Sequence, residues 1–154
     1  MKLNLGCGLD ILPGWVNVDI SSKLGPSVEV WDLDEIPWPW EDSSASEIRG
    51  VDIFEHIAHG RHTDFMCECW RVLEPGGRLY LQTTWFESID SFTDPDHTCH
   101  PTPYTFDYWV PGNVLYSRQN ITKGGVSFLY GKGRPALNQQ TGQMDVWLVK
   151  PDAA

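Results

Sequence analysis

The sequence contains no run of 18 apolar residues, so no helical membrane span is written into it. Basic residues are also few: 11 Lys and Arg stand against 21 Asp and Glu, a formal charge of −10. Gripping a phosphate backbone requires clustered Lys and Arg, which argues against nucleic acid as a partner. The four cysteines, at positions 7, 67, 69 and 99, form no paired framework, and Cys67 and Cys69 are too close for an ordinary bridge, so reduced thiols are expected. Met1 leads directly into a strand pattern with no charged, apolar and cleavage-site succession, which points to the cytoplasm. Zinc spacing is missing as well. His97-Thr98-Cys99-His100, with Asp94 and Asp96, and Cys67-Glu68-Cys69 fit neither the C-x₂₋₄-C nor the H-x₃₋₅-H pattern, so no metal is expected.

One further absence narrows the ligand. Leu3-Asn4-Leu5-Gly6-Cys7-Gly8 reads as a buried strand entering a glycine turn, yet Leu9-Asp10-Ile11 follows where a dinucleotide fingerprint needs its third glycine. Trp15-Val16-Asn17-Val18-Asp19 is a second strand that ends early in a carboxylate. A Gly-x-Gly turn at the carboxyl edge of a parallel sheet lets backbone N–H groups approach a ligand, and the acid accepts ribose hydroxyls. The short spacing leaves little room for a crossover helix or a pyrophosphate cradle. These features point to a nucleoside without phosphates and disfavour a nicotinamide-dependent dehydrogenase.

With 154 residues and 41% hydrophobic content, the chain reads as one domain, 1–154, able to bury a core. Val28 to Asp32 forms a third strand pattern ending in an acid, and Ser46 to Ile53 a fourth. The connections before them are short, and Gly25-Pro26 breaks any helix there, so the first helices are expected to be reduced and one sheet face thinly covered. Residues near Arg61 to Leu73 carry Phe65, Met66, Cys69, Trp70 and Leu73 on one helical face, and Glu74-Pro75-Gly76-Gly77 stops that helix. Arg78 to Thr84 alternates as a fifth strand. A polar, proline-rich loop spans Glu87 to Pro103, a short helix follows at Thr105 to Trp109, and Val126–Tyr130 and Met144–Val149 read as closing strands. Trp38 and Trp40 are candidates for both packing and pocket wall.

In this order, Leu3 to Gly8, Asp19, Asp32-Leu33-Asp34-Glu35-Ile36-Pro37-Trp38-Pro39-Trp40, Phe54-Glu55-His56-Ile57 and Arg71-Val72-Leu73-Glu74-Pro75-Gly76-Gly77-Arg78-Leu79 resemble the class I S-adenosylmethionine-dependent methyltransferases. Asp94-Pro95-Asp96-His97, Thr102-Pro103 and Phe106 resemble a segment that follows the fifth strand in many of them. The resemblance implies an α/β, three-layer Rossmann-like methyltransferase fold with a mostly parallel seven-stranded sheet and an antiparallel closing strand. It implies S-adenosylmethionine as cofactor, with Leu5, Gly6, Cys7 and Gly8 against the methionine portion and ribose. Asp19 would take the ribose hydroxyls, Asp32 and Leu33 the adenine, and Val51, beside Gly50 and Asp52, the cofactor's other side. The family usually has an acid where Asn4 stands.

Glu55-His56 invites a general-base role, but such a pair at a strand-to-helix junction more often caps or bonds nearby backbone. The loop after the fifth strand is the better place for acceptor chemistry, with His97 or Tyr104 near the acceptor atom. Two functions follow from these readings. One is methyl transfer to a small-molecule or glycan acceptor, where alignment and desolvation supply most of the rate and a base only removes the acceptor's proton. The other is a non-catalytic S-adenosylmethionine-binding module whose pocket is completed by a homodimer mate or a partner protein.

Overall fold

The computed structural model describes residues 1–112, 115–116 and 125–152. Eight strands form one sheet: β1 (Lys2–Leu5), β2 (Val16–Asp19), β3 (Val28–Val30), β4 (Ala45–Val51), β5 (Leu73–Thr84), β6 (Leu129–Tyr130), β7 (Ala136–Asn138) and β8 (Gln143–Val149). Their order is β3-β2-β1-β4-β5-β8-β6, with β7 also on β8. The pairs from β3 through β5 are parallel, and every pair made by β8 is antiparallel. The expected Rossmann-like architecture is observed, with eight strands among the described residues instead of the expected seven, the polar segment before β8 folding back on it as β7.

The lost helices follow from the short connections. Between β1 and β2 the chain makes only turns, and between β2 and β3 a single 3₁₀ turn, Ser22–Leu24. The helix α1 (His62–Val72) lies within one residue of its expected bounds at each end, and α2 (Asp90–Thr93) is a single turn. Alternation in the strands then sorts the two faces. Ile48, Leu79, Leu81, Met144, Val146 and Leu148 are buried beneath α1 and the aromatic residues Phe54, Phe106 and Trp109. On the opposite face Arg49, Tyr80 and Trp147 stand side by side in register, half-buried, with Lys132 over the Trp147 ring. The outer layer there is thinned to the segment after β1, where Asp10 meets Arg49 and Asn4.

Helix α1 buries Phe65, Met66, Cys69 and Val72, and full burial of one large apolar side chain stabilises by about 1.5–3 kcal/mol. Its charged residues serve packing too. Glu68 accepts the Trp38 N–H at 2.7 Å and pairs with Arg71, while Arg71 donates to the carbonyls of Trp38 and Trp40. Burial pushes the Glu68 carboxyl up, but the bonds from Arg71 and Trp38 outweigh it and hold the group below its ordinary range. The tryptophan pair is therefore core: Trp38 and Trp40 are buried, edge to face at 5.6 Å, with Trp38 also against Phe65. At the far end Lys150 donates to the carbonyls of Trp70 and Leu73, occupying acceptors the helix leaves unpaired.

The expected strand over Val126–Tyr130 shortens to Leu129–Tyr130, because the Phe128 N–H is taken by Trp109 C=O instead of a sheet partner. Strand β4 ends at Val51, two residues earlier than expected. Asp52 there adopts φ +50°, which turns the chain out of the sheet. No helix among the described residues is long and apolar enough to cross a membrane.

Candidate functional site

The strand order reverses at β1 and β4, and in open α/β sheets the crevice beyond the carboxyl ends of such strands is where ligands bind. Two cavities lie there. The first, about 160 Å³, is lined by Gly6, Asp19, Ile20, Trp31, Asp32, Leu33, Asp34, Ile53, His56 and Ile57. The second, about 510 Å³, is lined by residues that include Asp52, Glu55, His56, Thr84, Asp94, His97 and Gln143. His56 lines both.

The floor of the first cavity requires glycine. Gly6 has φ +59°, and a Cβ there would lie 2.7 Å from Ile53 Cδ1. Gly50, beside it on β4, is constrained by contact alone, with Ile53 Cγ2 at 2.7 Å from a Cβ. These two residues let the Ile53 side chain fold back across the sheet edge. Asp19 organises the wall: its carboxylate accepts the N–H of Gly8 and that of Ser21, both at 2.9 Å. Each carboxylate oxygen retains a lone pair for a further donor. Asp32 uses Oδ1 to accept the Asp34 N–H, and its Oδ2 has no hydrogen-bond partner among the described residues. Two acid side chains thus stand at successive strand ends between the flat Trp31 ring and the aliphatic Leu33 and Ile53, which suits a nucleoside with a diol and an amino-bearing base.

Of the expected cofactor residues, Gly6, Asp19, Asp32 and Leu33 line this cavity together. The side chains of Leu5 and Cys7 are buried in the core, Gly8 contributes its N–H to Asp19, and Val51 is half-buried away from the lining. Trp31, Ile53, His56 and Ile57 were not anticipated here, although Trp31 and Ile53 directly adjoin the singled-out Asp32 and Asp52. Asn4 faces the other way. It is fully buried, donates to Asp10 C=O and Asn17, and accepts from Arg49 at 2.7 Å.

The second cavity holds the other candidates apart. His97 lines it; Tyr104 does not, being 60% exposed with its ring under Arg134. Glu55 is fully buried, accepts the Thr83 hydroxyl at 2.9 Å and the Thr84 N–H at 3.1 Å, and burial raises its pKa. It does not cap its own turn but reaches across to the end of β5. His56 has no hydrogen bond on its ring among the described residues, and meets His97 edge to face at 4.7 Å. One ligand atom each from His56, Asp94 and His97 lie within 4.8 Å of one another, a convergence that local spacing could not show. Burial raises Cys99 to about 12 and pushes Cys7 and Cys69 up as well, which disfavours the thiolate at these three positions.

No family model matches the chain. An 88-residue stretch is 28% identical to the cyclopropane mycolic acid synthase MmaA2 of Mycobacterium tuberculosis, a match over 57% of this chain and 28% of that protein. The chain therefore spans well under a third of the curated relative it matches. Solved structures align over far more. A S-adenosylmethionine-dependent methyltransferase of Methanosarcina mazei superposes with TM-score 0.67 and 16% identity over 99% of this chain and 92% of its own. The protein solved with the Trm112 methyltransferase activator of Haloferax volcanii gives TM-score 0.63 and 14% identity over 97% and 82%. At these TM-scores over nearly its whole length, the chain has the Rossmann-like fold of the S-adenosylmethionine-dependent methyltransferases.

Proposed function

We propose that the protein binds S-adenosylmethionine and directs methyl transfer to a small-molecule or glycan acceptor. The observation that carries this reading is the cavity at the switch point, where Gly6, Asp19 and Asp32 meet between Trp31 and Ile53. The donor set fits a nucleoside: Asp19 accepts ribose hydroxyls by charge-assisted hydrogen bonds, and the open Asp32 Oδ2 accepts from an adenine amino group. Leu33 packs on the base, while Leu5, Cys7, Gly8 and Val51 act from behind by fixing the turn and strand ends. When bound, the cofactor supplies an activated methyl group on sulfonium.

The chain's own part is to orient and to exclude water. His56, shared by both cavities, marks the passage between cofactor and acceptor, and His97 stands across it from the acceptor side. Fold likeness gives the reaction class and leaves the acceptor to the residues of the second cavity. Calorimetric titration with S-adenosylmethionine, S-adenosylhomocysteine and NAD tests the reading. Binding of the first two, with a melting temperature that rises in step, supports it. Binding of NAD alone overturns it.

A partner-completed module is favoured by one observation. Ile89 and Phe92, next in sequence to the cavity-lining Asp90 and Thr93, are 80% and 62% exposed. Exposed apolar side chains beside a site are a common mark of an interface, and the Haloferax neighbour was solved with its activator. Sedimentation of the protein alone, with and without Phe92→Asp, separates a self-associating surface from a free one.

A further inference from the structure

The second cavity contains a juxtaposition that methyl transfer by positioning does not use. His56 ends the 3₁₀ turn after β4, Asp94 follows α2, and His97 lies three residues beyond, yet their ligand atoms approach within 4.8 Å. The two segments are fastened to each other. Thr98 donates its N–H to Glu55 C=O at 2.8 Å, and its hydroxyl donates to the carbonyls of Glu55 and Ile57, the two residues that flank His56. Within the turn, Asp94 Oδ1 accepts the Asp96 N–H at 2.8 Å, and Asp94 C=O accepts the His97 N–H at 3.3 Å.

Hydrogen bonding also selects the tautomer. His97 Nδ1 lies 3.0 Å from Ser91 C=O, so Nδ1 carries the proton and Nε2 presents a lone pair. A backbone carbonyl on the far nitrogen is the usual support of a metal-ligating histidine. The His56 ring has no hydrogen-bond partner among the described residues, and Asp94 Oδ2 is likewise unpaired. Two imidazoles and a carboxylate thus converge with ligand atoms that the described residues leave unoccupied.

We propose that His56, Asp94 and His97 form a binding site for a divalent transition-metal ion, with zinc, iron(II) and nickel the candidates that two imidazoles and one carboxylate suit. Zinc bound at about 2.0–2.1 Å brings its ligands closer together than 4.8 Å, so occupancy would draw the three side chains inward. Three protein ligands leave coordination positions open, and these face the 510 Å³ cavity. Resting on the methyl-transfer reading, the ligand of those positions is an oxygen of a hydroxyl-bearing acceptor. Coordination acidifies the hydroxyl and its proton leaves to solvent; the oxygen then bonds the methyl carbon as the carbon–sulfur bond breaks, its electron pair remaining on sulfur.

The test uses tag-free full-length protein stripped with chelator and titrated with Zn²⁺ by calorimetry and with Co²⁺ by visible absorption. One ion per chain is expected, and His56→Ala, Asp94→Ala and His97→Ala are each expected to weaken it at least tenfold. An unchanged far-ultraviolet circular dichroism spectrum and a cooperative thermal unfolding transition show that a variant is folded, and His97→Gln serves if the alanine variant is not. Failure to bind stoichiometrically, or binding indifferent to all three substitutions, overturns the site. Metal binding that responds to the substitutions in a protein that ignores S-adenosylhomocysteine keeps the site and removes the methyl-transfer reading.

Discussion

The two cavities at the carboxyl edge are assembled by different means. The first draws most of its lining from the ends of three consecutive short strands and the turns that leave them, Gly6 through Asp34. The second gathers side chains from the end of β4, the end of β5, the loop at Asp90–His97 and the start of β8. A site built from backbone turns tolerates side-chain change away from a few fixed positions. A site built from converging side chains depends on each fastening.

Glu55 is the strongest such fastening, so its loss is expected to have the largest effect. Glu55→Ala leaves the Thr83 hydroxyl and the Thr84 N–H unsatisfied in the core, and an orphaned buried donor costs about 1–3 kcal/mol, so a loss of about 3 kcal/mol is expected in denaturant unfolding. Glu55→Gln should stay within about 1 kcal/mol of the parent, because the amide supplies an acceptor for Thr84 and a donor for the threonine hydroxyl. The pH dependence has a definite sign. Because burial raises the folded-state pKa, the stability linked to Glu55 is fully present below its unfolded value of 4.5 and is lost as pH rises through the higher folded value. The gap between Glu55→Gln and the parent should therefore move in favour of the glutamine variant from about pH 4.5 upward. A flat difference would place Glu55 outside the buried network.

For the first cavity the decisive change is Asp19→Ala. It should weaken S-adenosylhomocysteine by about 1.5–3 kcal/mol, the range for hydrogen bonds to a charged group. A smaller stability loss should accompany it, since Gly8 and Ser21 lose their acceptor. Equal affinity in variant and parent, read by calorimetry, would reduce Asp19 to a turn brace.

Gly6→Ala comes next, at about 1.5 kcal/mol of stability, for placing a Cβ at φ +59° and against Ile53. Combined with Ile53→Ala, the cost should be less than additive, because the clash is shared. Additive losses in the double-mutant cycle would show that the backbone conformation alone requires glycine. The smallest effect belongs to Tyr104→Phe. Its ring lies beneath Arg134 and its hydroxyl reaches neither cavity, so transfer rates and melting temperature should match the parent within error. A clear fall in turnover would join Tyr104 to the second cavity after all.

The first cavity was legible because its determinants are local. Gly6, Asp19 and Asp32 announce a turn and two strand ends through residue type and spacing, and α1 announces itself through the period of Phe65, Met66 and Cys69. Trp31 and Ile53 were missed because a large apolar residue beside an acid reads equally well as core. The short strand β7 was missed because Ala136-Leu137-Asn138 has no alternation long enough to register.

By itself the sequence determined the sheet's parallel half, the glycine turn with its two acids and the thinning of the early helices, each set by backbone preference within a few residues. Only the tertiary structure decided that Trp38 and Trp40 are core, that Asn4 turns to Arg49, and that His56 meets Asp94 and His97. Those outcomes depend on which distant backbone groups find each other. Thr98 against Glu55 and Glu68 against Trp38 are hydrogen bonds across long stretches of chain, and no local pattern encodes them.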